Sequence, residues 1–133
     1  MSERLAPDLP LSPGRIIGPV LVSFDIDGTL EEGDPPGPIG MELVARAIEL
    51  GYVVGSASDR TVAEQRNMWA RRALKVDFVG HKHHLADVAG RYPGHRFIHL
   101  GDTDVDQHYA RLAGFEFHYA MRLPEPGTLG WVF

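Results

Sequence analysis

The chain predicts an α/β fold: a single doubly wound domain built on a mostly parallel, five-stranded sheet. Three observations point there. Five short apolar runs alternate with segments of helical spacing. Glycine and proline mark most of the junctions between them. The length, 133 residues, suits one domain with a proper core. Strands that alternate with helices are joined by right-handed crossovers, which lay the strands parallel.

Residues 1–19 carry Pro7, Pro10, Pro13 and Pro19 with Gly14 and Gly18, so they read as an irregular proline-rich arm, and 20–133 as the folded domain. Val20 to Phe24 is apolar except for Ser23, as in a strand covered on both faces. Glu31 to Gly40 contains three prolines and reads as a loop. Ile39 to Leu50 has helical spacing, with Leu43, Ala47 and Leu50 on one face, Val44 and Ile48 beside them, and Gly51 to stop it. Tyr52 to Ala57 is the second strand, Thr61 to Ala73 the second helix, and Val76 to Val79 a short third strand. A short helix from His84 to Tyr92 ends at Pro93-Gly94. Arg96 to Leu100 is the fourth strand, Asp104 to Ala113 a helix closed by Gly114, and Phe115 to Tyr119 the fifth strand. Ala120 to Phe133 is irregular, and its apolar tip, Trp131-Val132-Phe133, is expected to pack against the sheet edge, the N-terminal arm or another subunit.

Composition removes several classes. Apolar residues make up 44% and charged residues 23%, values of an ordinary globular protein. No apolar run approaches the ~20 residues of a membrane span. The N-terminus lacks a basic start and an apolar core, so it does not read as a secretory signal. With no cysteine there is no disulfide framework and no thiolate metal site, and the expected location is the cytoplasm. A formal charge of −5 argues against a general phosphate-backbone binder. Arg66, Arg71, Arg72 and Lys75 read as a solvated helix face.

In open parallel sheets ligands bind beyond the carboxyl ends of the strands, so the residues after each strand matter most. After the first come Asp25 and Asp27, two apart and hence on one side of extended chain, with Gly28 to turn the backbone. Paired carboxylates there contribute little to folding; they suit holding a hard divalent cation and attacking an electrophile. After the second strand comes Gly55-Ser-Ala-Ser-Asp-Arg60, where a hydroxyl and the next helix's N–H groups can meet an anion. Ser58 is preferred for that hydroxyl over Ser56, and Ser58 or Asp59 also suits a helix cap. After the third strand comes Gly80-His-Lys-His-His84. His81, His83 and His84 lack a recognisable ligand spacing, and a surface histidine cluster is preferred to a zinc site. After the fourth comes Gly101-Asp-Thr-Asp-Val-Asp106, which lacks the glycine and glutamate of a calcium loop. Asp104 suits a cap for the helix from Val105.

Phe24-Asp-Ile-Asp-Gly-Thr-Leu30 closely resembles the first motif of the haloacid dehalogenase-like superfamily. Ser58 with Arg60, Lys82 (Lys75 as the fallback) and Gly101-Asp102 with Asp106 resemble the second, third and fourth, in the right order and each at a strand end. The resemblance spans about residues 20–119. It implies a Mg²⁺-dependent phosphomonoester hydrolase. Asp25 is the nucleophile that forms an aspartyl-phosphate, and Asp27 the general acid and base. Ser58 and Lys82 hold the transferring oxygens, with Asp59 and Arg60 beside the phosphate. Asp25, the Asp27 backbone carbonyl and Asp102 hold the metal, and Asp106 holds a water of the metal's shell or Lys82. The ten-residue loop Glu31–Gly40 is too short for a folded cap, and a capless member is implied. A phosphorylated small molecule is the expected substrate. The open site leaves nucleic-acid ends or phosphoproteins as the second class, a non-enzymatic binding module as the third, and a homo-oligomer as one way to cover the site. Trp69 is expected in the core rather than at the substrate.

Overall fold

The computed structural model describes residues 18–133; the expected arm falls almost wholly on residues outside that range. Five strands form one parallel sheet: β1 (Val20–Phe24), β2 (Val53–Ala57), β3 (Phe78–Gly80), β4 (Arg96–Gly101) and β5 (Glu116–Tyr119). Four helices connect and flank them: α1 (Met41–Glu49), α2 (Val62–Arg71), α3 (Leu85–Arg91) and α4 (Asp104–Leu112). Strand order is β3-β2-β1-β4-β5. The chain builds outward from β1 to β3, then returns to the other side of β1 with β4. The β1–β4 seam is therefore the topological switch point.

Side-chain alternation along β1 and β4 divides the core into two layers. Val20, Val22, Phe24, Ile98 and Leu100 face one side and pack with Val44, Ala47, Met68 and Trp69 of α1 and α2. Leu21 faces the other, where Leu85, Val88, Ala110 and Phe115 close the layer over α3 and α4. All five residues of β1 are buried, Ser23 included. The C-terminal Trp131 and Val132 lie in the first layer. Tyr52 Oη donates to the Val132 carbonyl, and the Arg96 guanidinium donates to that of Gly130. The tip thus packs on the sheet itself.

Boundaries differ from the sequence reading where tertiary contacts win. The first helix starts at Met41, because Ile39 is spent in a bridge with Leu30. Its buried face is Met41, Val44 and Ala47, rotated from the Leu43–Ala47–Leu50 face. The third strand starts at Phe78: Ala73 takes a left-handed turn (φ 55°) and Asp77 caps the Val54 N–H at 2.9 Å before sheet pairing begins. Thr61 with Glu64, and Thr103 with Asp106, form capping boxes. The caps expected of Ser58 or Asp59, and of Asp104, are therefore taken by these threonines. Residues 25–40 make turns and one isolated bridge, with no inserted cap domain. Among the described residues no helix is long and apolar enough to cross a membrane.

Candidate active site

Asp25 leaves the end of β1 next to β4, its N–H bonded to the Leu100 carbonyl at 2.9 Å. Gly28 then turns the chain at φ 75°, a conformation that disfavours any other residue. A Cβ at Gly28 would also run into the Asp102 carboxylate, so the glycine lets the two loops close on each other. One oxygen each from Asp25, Asp102 and Asp106 lies within 4.8 Å of the others. Acids 77 and 81 positions apart in the chain thus meet at the switch point.

Lys82 enters from the end of β3. It is 5% exposed, and its Nζ stands 3.3 Å from Asp106, 3.5 Å from Asp59 and 3.8 Å from Asp25. Burial disfavours its charge, but the three carboxylates outweigh that and raise its pKa. Asp25 shows the opposite balance. Burial, then the Asp106 charge, with a hydrogen bond that the protonated Asp25 donates to Asp102, push its carboxyl up to about 8 despite Lys82. The carboxylates outnumber the one buried ammonium, and a divalent cation would relieve the excess.

Asp106 is fully buried, and both of its oxygens are already engaged. Oδ1 meets His99 Nε2 at 2.9 Å; Oδ2 accepts from the Thr103 N–H and hydroxyl. Burial opposes its charge, but His99, Lys82 and Thr103 prevail and lower its pKa to about 2. With its oxygens so engaged, Asp106 anchors Lys82. Asp25 and the exposed Asp102 have more freedom to take a cation, and these acids and their geometry fit a hard, oxygen-seeking ion such as Mg²⁺.

Behind Asp106 runs a polar pair that sequence reasoning did not single out. His99 Nδ1 lies 2.9 Å from Ser23 Oγ, and both side chains are fully buried. The signal was present: Ser23 and His99 interrupt otherwise apolar strands, and each points to the α4 side of neighbouring strands. His99→Leu is expected to leave one buried oxygen of Asp106 and the Ser23 hydroxyl without their partner and to cost about 2 kcal/mol in urea denaturation.

Ser58 is 1% exposed and lines the cleft with Asp25, Asp27, Lys82 and Asp102, a space of about 300 Å³ at the low end for a ligand site. Ser56 does not. Its hydroxyl donates to Gln65 Oε1 at 2.7 Å and accepts from Trp69 Nε1 at 3.0 Å, inside the core. The amide of Gln65 also ties the Arg60 and Gly80 carbonyls at 2.9 Å each. Trp69 is accordingly a core residue. Lys75 is exposed and away from the cleft.

Asp27 stands at the cleft mouth in a fork with Arg60, with Nη2 to Oδ1 at 2.7 Å and Nε to Oδ1 at 3.1 Å. The Asp34 N–H adds a further bond at 2.8 Å. Burial pushes the Asp27 carboxyl up, but the Arg60 and Asp34 bonds more than offset it and lower its pKa. Arg60 is thus committed to Asp27, and the exposed Asp59 faces Lys82. Every residue expected at the site from sequence is in or directly against one cleft at the carboxyl ends of β1, β2, β3 and β4. No family model, no curated protein and no solved structure matches this chain.

Proposed function

We propose that the protein is a Mg²⁺-dependent phosphomonoester hydrolase working through an aspartyl-phosphate on Asp25. The observation that carries this reading is the meeting of Asp25, Asp102, Lys82 and Ser58 in one cleft at the β1–β4 switch point. The resemblance of the four segments to haloacid dehalogenase-like motifs supports it.

Asp25 attacks phosphorus, the bond to the leaving oxygen breaks, and the phosphoryl group passes to the carboxylate. Ser58 Oγ–H and Lys82 Nζ hold the transferring oxygens as charge spreads over them. Asp25, Asp102 and the Asp27 carbonyl would hold the metal, which when bound would supply positive charge that favours the ionised nucleophile. Asp27 serves both half-reactions. As an ionised group it takes a proton from the water that attacks the phosphoenzyme, releasing inorganic phosphate and restoring Asp25. As an acid it protonates the leaving oxygen, which requires it to take up a proton and loosen from Arg60.

The leaving group therefore separates Asp27 from the nucleophile. Asp27→Asn is expected to lose alkyl phosphate hydrolysis while p-nitrophenyl phosphate, whose leaving group needs no proton, still phosphorylates Asp25. Equal loss of phosphoenzyme formation with both would reject the acid role. The hydroxyls are separated in the same assay. Ser58→Ala is expected to lower kcat by about 10²-fold with little loss of stability. Ser56→Ala is expected to cost about 1–2 kcal/mol of stability with nearly normal turnover. Reversed outcomes would move the phosphate-binding hydroxyl to Ser56.

The first experiment is hydrolysis of p-nitrophenyl phosphate with Mg²⁺ and with chelator, then a panel of phosphorylated metabolites beside 3′- and 5′-phosphorylated oligonucleotides. Metal-dependent turnover with preference for small phosphates is the expected result. No turnover with any phosphate would leave a binding module. The small-molecule reading is preferred because the chain is acidic overall and the cleft is small. A location in the cytoplasm belongs to the same proposal.

A further inference from the structure

A second cluster lies on either side of Lys82 in the chain, and it is chemically unlike the first. His81, His83 and His84 flank Lys82 on the turn between β3 and α3. One ring nitrogen from each lies within 4.8 Å of the other two. Their spacing looks unpromising in sequence, but the local fold changes that. The His84 N–H bonds to the His81 carbonyl at 3.0 Å, closing a 3₁₀ turn. In such a turn residues three apart eclipse, which brings His84 back toward His81, and the His83 ring stacks on that of His81 at an interplanar angle of 7°. Ring centroids are 4.1, 5.6 and 5.9 Å apart. Three imidazoles around a tetrahedral ion with metal–nitrogen bonds of ~2.0–2.1 Å have centroids roughly 5 Å apart. Small side-chain rotations bridge the difference, and the exposure of His83 and His84 permits them.

Two further observations favour a ligand over a structural role. Among the described residues none of the three rings has a hydrogen-bonding partner; their contacts are with one another and, for His83, with the Tyr109 ring at 6.3 Å. The cluster also buries no apolar core, since two of its members are exposed. Nothing in the packing requires three histidines here.

We propose that His81, His83 and His84 form a binding site for one Zn²⁺, separate from the carboxylate site and independent of the phosphatase reading. Imidazole nitrogen selects zinc and its neighbours in the transition series over Mg²⁺, which prefers oxygen. Three protein ligands leave the fourth position to water or an anionic group, the arrangement of an exchangeable site rather than a closed structural one. The rings lack orienting partners, so affinity should be moderate, on the order of micromolar.

The test uses tag-free protein, stripped of metal by chelator and supplied with excess Mg²⁺, titrated with Zn²⁺ in a calorimeter. Co²⁺ titration followed by visible absorption reports the coordination geometry. The expected result is one equivalent of Zn²⁺ with a tetrahedral cobalt spectrum. The His83→Asn/His84→Asn variant should bind more weakly by over 100-fold, beyond the ~10–100-fold cost of losing an outer partner. Its circular dichroism should be unchanged, since both side chains are exposed. The Asp25→Asn/Asp102→Asn variant should still bind one equivalent. Absence of zinc binding to the parent protein, millimolar binding only, or binding that survives the histidine changes and disappears with the aspartate changes would each overturn the site. None of these readings depends on turnover, so the site can fail while the phosphatase reading stands, and the reverse.

Discussion

Asp25→Asn is expected to abolish phosphate release, by at least about 10³-fold, and at the same time to raise the thermal stability of the metal-free protein. The two effects have one origin. The carboxylate is 3% exposed and faces Asp102 and Asp106, so burial and like charge hold its pKa near 8. The raised folded-state pKa sets the sign: the folded state binds the Asp25 proton more tightly than the unfolded state does. That preference favours folding at low pH and is lost as pH rises from the unfolded carboxylate range through about 8. Above that range the ionised, buried Asp25 is a net cost. Asparagine has the same shape without the charge, so the variant should gain over the parent as pH rises and gain little in acid. Adding Mg²⁺ should stabilise the parent more than the variant, because only the parent keeps both carboxylates that would hold the ion. Loss of a nucleophile typically costs up to about 10⁶ in kcat, so residual turnover within tenfold of the parent would remove Asp25 from that role. Melting curves from pH 5 to 9, with and without Mg²⁺, check the second half. A variant less stable than the parent at pH 9 would mean that Lys82 contributes more through Asp25 than burial takes away.

The fold was legible because four of the five strands announce themselves twice, once by an apolar run and once by the chemistry after it. Asp25, Ser58, Lys82 and Asp102 are polar residues at strand ends, where packing gives no reason for them, and the structure gathers all four. Their meeting depends on topology more than on any one segment: β4 returns beside β1, and that alone brings Asp102 to Asp25. What escaped the sequence depends on partners distant in the chain. Ser23, His99 and Asp106 read as unrelated until β1, β4 and α4 are stacked. Arg60 looks like a phosphate ligand by position, yet Asp27 lies close enough to claim it. Ile39 fits a helical period but is drawn into a bridge with Leu30. The histidines around Lys82 lack a metal-site spacing on an α-helix or a strand, and only a 3₁₀ turn brings them together.

Lys82→Met is expected to be the other severe change, and it acts on folding as well as on catalysis. Methionine keeps the length and the apolar stem but removes the one buried ammonium that faces Asp25 and Asp106. Asp106 cannot easily respond by protonating, because His99 and Thr103 still hold its ionised form. Asp25 can, since its pKa is already raised. Asp25 is already largely protonated near neutral pH, so the variant should keep that proton to higher pH than the parent does, and part of the loss above about pH 8 should be relieved in this way. Removing one partner of a buried ion pair costs up to about 3–5 kcal/mol, so a loss of about 3 kcal/mol in chemical denaturation is the expected size. A divalent cation at Asp25 and Asp102 supplies charge at the same place. Saturating Mg²⁺ should thus recover more stability in Lys82→Met than in the parent, while hydrolysis stays at least about 10²-fold down because no cationic donor replaces Nζ on the transferring oxygens. Stability that is insensitive to the substitution would show that the carboxylates are not held as charged partners of Lys82. Full activity restored by Mg²⁺ alone would reduce the lysine from a phosphate-binding group to a counter-charge.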